Sequence, residues 1–276
     1  MSEDRFAGIV DQYELWRAID PNYDPSHDAL ERLLRDVVAR EAHNLLSTVI
    51  RSRKPCDNPY DRIEINILEI GCGIGHTSKR ILDADLRIRL MAIDKSPGMV
   101  ERARRELASY GNRFRVYLGD ALELIPKISS RIDYVISANT IHNLHPSDQQ
   151  RLYHLIAEVL EYRGCFFGID KIAPNDPDAY EALFEEFLER IELLRESHPD
   201  AYAFFRNHEF EDREIRVTED ALKAMLAQAG FDAMLPPCFN RYGMVVVSCW
   251  RLMRKSGHHF VALGEGLRFP YAHERE

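Results

Sequence analysis

Apolar residues recur at helical spacing near the start of the chain. Phe6, Ile9, Val10, Tyr13 and Trp16 predict a short amphipathic helix that ends before Pro21. A stronger stripe follows: Leu30, Leu33, Leu34, Val37, Val38, Leu45, Leu46 and Val49 share one helical face, with Ser26 as the expected N-cap. Residues 20–25, with two prolines and two aspartates, read as a turn between these helices, and residues 51–62 as a linker. From residue 63 the period changes. Apolar runs at 63–70, 87–93, 115–118, 132–137 and 165–169 predict five strands. Helical patterns lie between them, one opened by Ser96-Pro97 and another carrying Leu152, Leu155, Ile156, Val159 and Leu160. Such alternation requires right-handed crossovers and therefore a mainly parallel, doubly wound α/β sheet.

The alternation then pauses. Tyr180, Leu183, Phe184, Phe187, Leu188, Ile191 and Leu194 predict a long helix with no strand directly after it, an insertion over about 175–212 that reads as part of a lid. Thr218 is placed to cap a helix through Leu222, Met225 and Leu226, and 231–234 and 243–250 supply closing strands. The expected organisation is a helical cap and linker over 1–62, one α/β domain over 63–253 and a tail over 254–276.

Composition narrows the function. The chain has 276 residues, 45% of them hydrophobic, enough for one large core. Its apolar runs fall short of a membrane span and its start lacks a signal-peptide pattern, so a cytoplasmic protein is expected. The five cysteines, Cys56, Cys72, Cys165, Cys238 and Cys249, are scattered and predict free thiols. A formal net charge of -9 argues against a broad nucleic-acid surface and for a small-molecule substrate.

In a doubly wound sheet, ligands bind beyond the carboxyl ends of the strands. The first end is Glu69-Ile70-Gly71-Cys72-Gly73-Ile74-Gly75, where glycines allow positive φ and close approach of a ligand to the backbone. Asp94 lies 19 positions after Gly75, the spacing at which an acid takes ribose hydroxyls. The third end is Gly119-Asp120-Ala121. The fourth is the loop from Asn139 to Asn143, in which His142 has a pKa suited to a general base; the alternative is a structural role lining the pocket. Asn143 is read either as a substrate-orienting group or as a loop hydrogen bond. Cys72 is read as small, or as a thiol acidified by a helix N-terminus.

These segments, with Asp94-Lys95-Ser96-Pro97-Gly98-Met99, resemble the ordered motifs of class I S-adenosylmethionine-dependent methyltransferases. The resemblance covers residues 63 to about 169. It implies a Rossmann-like seven-stranded sheet whose last strand is antiparallel, and S-adenosylmethionine as cofactor, with S-adenosylhomocysteine as product. It also implies a cofactor site built from Glu69, Gly71, Cys72, Gly73, Gly75, Asp94, Lys95, Met99, Gly119, Asp120, Ala121 and Asn139. The implied activity is methyl transfer to an O or N nucleophile of a small molecule. The layout is also similar to the carboxy-S-adenosylmethionine synthase family, from which Glu69 and Gly73 depart, and which would need a fixed cation such as Arg206 or Arg216. A non-catalytic cofactor binder is the remaining alternative.

Tyr13, Tyr23, Asn143, Arg206, His208 and Arg216 are the expected substrate or lid residues, with His208 in a loop and Trp16 in the core. No metal site is expected, since His258-His259 has no acid or cysteine near it in sequence. Nucleic acid and membrane are not expected partners. A homodimer is admitted.

Overall fold

A computed structural model describes residues 13–51, 64–233 and 239–253 of the chain. The expected tail, His258-His259, Cys56, Cys238 and the linker at 52–62 lie outside the described residues. The elements in chain order are α1 (Tyr13–Ile19), α2 (Tyr23–Arg51), β1 (Ile65–Ile70), α3 (His76–Ala84), β2 (Ile88–Asp94), α4 (Pro97–Glu106), β3 (Phe114–Leu118) and α5 (Ala121–Leu124). They continue with β4 (Ile132–Ala138), α6 (Pro146–Val159), β5 (Leu160–Lys171), α7 (Pro177–Glu192), α8 (Pro199–Arg213), α9 (Glu219–Gln228), β6 (Phe231–Ala233), β7 (Phe239–Tyr242) and β8 (Val245–Leu252).

The sheet runs β3-β2-β1-β4-β5-β8-β6, parallel as far as β5, with β8 antiparallel to β5 and to β6. This is the expected seven-stranded path, with the last strand in the chain antiparallel. β7 adds an eighth strand against β8. It escaped the sequence pattern because it is the short outer arm of a hairpin, turned at Gly243 with φ 57. The order reverses between β1 and β4, so their carboxyl ends diverge and leave a crevice there.

Both faces of the sheet are covered. On one, Leu68, Ile70, Met91, Ile93 and Val135 pack with Leu152 and Ile156 of α6 and Leu222 and Leu226 of α9. On the other, Ile67, Leu90, Ile136, Phe167 and Val247 pack with Leu30, Leu34, Val37 and Val38 of α2 and Ile81 and Leu82 of α3. The α2 stripe is thus one wall of the main core. The turn before α2 is shorter than expected. Tyr23 already lies in the helix and Pro25 occupies its first turn, where a missing N–H costs nothing. Ser26 is therefore inside the helix, its hydroxyl donating to Tyr23 O.

The insertion holds two helices where one was expected. α7 and α8 share a cluster with α1, in which Trp16 meets Phe187 at 5.1 Å and Phe205 at 4.8 Å between ring centroids. α8 has weak amphipathicity because one flank carries buried polar residues, His208, Glu209 and Asp212. Residues 206–210 thus read as a loop in sequence and form a helix in the structure. Among the described residues, no helix is long and apolar enough to cross a membrane.

Candidate active site

The β1 strand ends in a glycine loop whose conformation needs glycine. Gly71 has φ 72 and Gly73 φ 52. A Cβ at Gly71 would lie 2.1 Å from Thr140 Oγ1, whereas one at Gly73 would meet nothing within 4 Å. Asp94, at the end of β2, ties the loop to its neighbour: Oδ2 accepts from Gly73 N at 2.8 Å and Oδ1 from Ser96 N at 2.9 Å. Ser96 caps α4 and Pro97 opens it, as the sequence predicts. Asp120 caps α5, accepting from Leu122 N at 2.8 Å. Asn139 closes β4 in the left-handed region at φ 51, a conformation asparagine tolerates better than most residues.

These strand ends border one cleft of about 1090 Å³, open to solvent. Gly71, Gly73, Asp94, Lys95, Met99, Gly119, Asp120, Ala121 and Asn139 line it. At its other end stand His142, Asn143, Lys171, Trp16, Phe204 and His208. Trp16 and the α8 aromatics, read as core or not singled out in sequence, therefore wall the cleft.

Three residues expected at the cofactor do not reach the cleft. Glu69 is fully buried behind the loop, where the Ser78 hydroxyl of α3 donates to it, and burial raises its carboxyl to about 8. Gly75 instead gives α3 room against α4, since a Cβ there would sit 2.9 Å from Leu107 Cδ1. Cys72 points into the α4 contact, and burial pushes its thiol well up, against the acidified reading. Cys72 and Tyr23 line a smaller pocket on the flank of the loop. Tyr23 stacks on His27 with centroids 4.2 Å apart. Tyr13 opens α1, and its side chain lies outside the described ones.

The cations fall differently from expectation. Arg206 is exposed over Phe210, and Arg216 is buried away from the cleft on Glu209 Oε2 at 3.1 Å. The cation beside His142 and His208 in the cleft is Lys171, which the sequence pattern did not single out. Its ammonium pairs with Glu209 Oε1 and lies 4.3 Å over the Trp16 ring. Burial would raise the Glu209 carboxyl, but Lys171 and Arg216 override it and bring it to about 2.

His142 is buried at the cleft wall, its Nδ1 paired with Asp170 Oδ1 and its backbone N–H donating to Asp170 Oδ2 at 3.1 Å. Asp170 also went unread. It lies at the end of β5, a strand end as apt for chemistry as the other four, just past the apolar Cys165–Ile169 run. His208 lies on α8, buried, rather than in a solvated loop. It meets Asp212 Oδ2 at 3.2 Å, and His142 Nε2 lies 3.7 Å from the same oxygen. Against the expectation of no metal site, His142, His208 and Asp212 make a group able to hold an ion, their ligand atoms all within 4.8 Å of one another.

The cleft fits a nucleoside sulfonium cofactor. Gly73 leaves open the space a side chain would take, an acid stands at the end of β2, and Met99 is a buried apolar wall. Asn143 donates to Thr140 O at 3.1 Å, while its Oδ1 is buried and meets no donor among the described residues. That leaves an acceptor atom available to a bound molecule.

A family model described as a methyltransferase domain matches residues 67–164. The chain is 28% identical over 201 residues to the carboxy-S-adenosyl-L-methionine synthase of Klebsiella pneumoniae subsp. pneumoniae, covering 66% of this chain and 74% of that protein. It is 32% identical over 101 residues to malonyl-[acyl-carrier protein] O-methyltransferase 1 of Ilyobacter polytropus, covering 37% and 36%. In fold it is similar to the mitomycin 7-O-methyltransferase MmcR, with a TM-score of 0.50 and 20% identity over 68% of this chain and 49% of that one. It thus spans about half of that longer chain. Residues 67–164 thus match a methyltransferase domain, and the chain is similar to class I S-adenosylmethionine-dependent methyltransferases.

Proposed function

We propose that the protein transfers a methyl group from S-adenosylmethionine to an O or N nucleophile of a small molecule held at the His142 end of the cleft. One observation carries the reading: a single cleft joins the glycine loop and Asp94 to the His142–Asp170 pair. Gly73 lets the methionine portion approach the backbone, Asp94 takes the ribose and Met99 packs on adenine. When bound, S-adenosylmethionine supplies a methyl group on a positively charged sulfur. Asp170 holds the Nδ1 proton of His142, fixing the tautomer in which Nε2 is basic. His142 then accepts the proton that the acceptor's hydroxyl or amine gives up, and Asp170 stabilises the imidazolium. The aromatic walls from Trp16 and Phe204 exclude water. Asn143 Oδ1 orients the acceptor.

Asp94→Ala is expected to weaken S-adenosylhomocysteine binding by calorimetry at least tenfold. His142→Ala should leave that binding within a few-fold and lower methyl transfer by about 10²–10⁴-fold. Unchanged cofactor binding in Asp94→Ala would overturn the assignment of the cleft.

A second reading is favoured by Lys171 and by the Klebsiella relative. A buried ammonium at the acceptor end suits a carboxylate, as a carboxy-S-adenosylmethionine synthase would require. Native mass spectrometry separates the two. A co-purifying ligand heavier than S-adenosylmethionine by one carboxyl group supports the second reading, and S-adenosylhomocysteine opposes it.

A further inference from the structure

His142, His208 and Asp212 come from a strand-end loop and from one face of α8, where His208 and Asp212 stand one helical turn apart. All three are buried, and their nearest ligand atoms lie 3.2 and 3.7 Å apart, none more than 4.8 Å from another. Ligand atoms around a first-row divalent ion bonded at about 2.1 Å stand roughly 3.0–3.4 Å apart, so the two separations to Asp212 Oδ2 are already close to those of a coordination sphere. Asp170 engages both the Nδ1 and the backbone N–H of His142. This is how a carboxylate outside the ligand shell fixes a metal-binding imidazole with Nε2 forward. Two imidazole nitrogens and a carboxylate oxygen are also three electron-rich atoms brought together in a buried place, an arrangement a cation stabilises.

We propose that His142, His208 and Asp212 bind one divalent first-row transition-metal ion, of the zinc or iron(II) kind, at the acceptor end of the cleft. Two imidazoles and one carboxylate leave coordination positions open. His142 and His208 both line the cleft, so those positions are available to the acceptor. The ligand class that fits is an oxygen donor, a hydroxyl or enol acidified by the ion. The inference rests on the reading of this end as the acceptor end. It changes the role of His142 from base to ligand.

The test is metal content and not turnover. The full chain is stripped with chelator, reconstituted with Zn²⁺ or Co²⁺, and measured by plasma mass spectrometry and visible absorption, with S-adenosylhomocysteine titrated into the same samples. About one equivalent of metal and the visible bands of a low-symmetry Co²⁺ site are expected. Both should be lost in the near-isosteric His208→Gln and Asp212→Asn, and Asp170→Asn should weaken metal affinity about 10–100-fold. No uptake by the wild-type chain, or uptake unchanged in both ligand variants, would overturn the site and identify the three residues as a hydrogen-bonded cluster. If a variant fails to fold, the wild-type stoichiometry and Co²⁺ spectrum decide alone. A wild-type chain that binds S-adenosylhomocysteine but takes up no metal removes this proposal and leaves methyl transfer standing; a wild-type chain that does not bind S-adenosylhomocysteine removes the broader reading.

Discussion

A methyl group added at Gly73 would meet nothing within 4 Å, but at Gly71 it would overlap Thr140 Oγ1 at 2.1 Å. Both positions have positive φ, so alanine at either costs about 1 kcal/mol of backbone strain. The remaining costs differ in kind. Gly73→Ala is expected to shift the melting temperature by only a few degrees while lowering S-adenosylhomocysteine affinity tenfold or more, because the added carbon enters space the cofactor needs. Gly71→Ala should lower both together, since it separates the β1 and β4 loops. Equal affinity for the Gly73 variant and wild type in calorimetry would show that the cofactor avoids the loop. The sequence exposed these glycines and Asp94 because each short motif contains its own geometry. It could not say which glycine faces a ligand and which faces a neighbouring loop, since Thr140 is distant in the chain.

Between β1 and α3, the Glu69 contact with Ser78 makes packing depend on a proton. In the folded protein the buried Glu69 carboxyl titrates at about 8, against 4.5 when exposed. Over that interval the folded state holds a proton the unfolded state has released, so stability falls as pH rises from about 4.5 to about 8. Glu69→Gln, neutral throughout, removes the slope. In thermal melts the wild type should lose ground to the variant from about pH 5 to pH 8, by an amount on the order of a few kcal/mol. Parallel curves would mean that Glu69 is ionised in place. Helix periodicity revealed α7, yet it misread α8 because His208, Glu209 and Asp212 fill buried positions that a hydrophobic pattern reserves for apolar residues. Lys171, the partner of Glu209, closes a strand whose apolar run stops short of it, and Asp170 beside it pairs with His142. Only the packing of α8 against the end of β5 reveals that these five belong together.

Across the whole molecule, the mainly parallel, doubly wound sheet was legible because alternating periods and crossover handedness leave few topologies. The role of the N-terminal helices was not. They read as a cap, whereas Leu30, Leu34, Val37 and Val38 are buried on the sheet with Ile67, Ile136 and Phe167. At about 1.5–3 kcal/mol each, those four side chains contribute roughly 6–12 kcal/mol, comparable to the entire stability of a typical domain. A chain shortened to begin at Glu64 is therefore expected to lose its cooperative thermal transition and to bind apolar dyes; a sharp melt would refute this. The segment 67–164, which the family model matches, is accordingly a unit of descent without being a unit of folding. Any chimera that exchanges this segment must carry a partner for α2, or inherit an uncovered sheet.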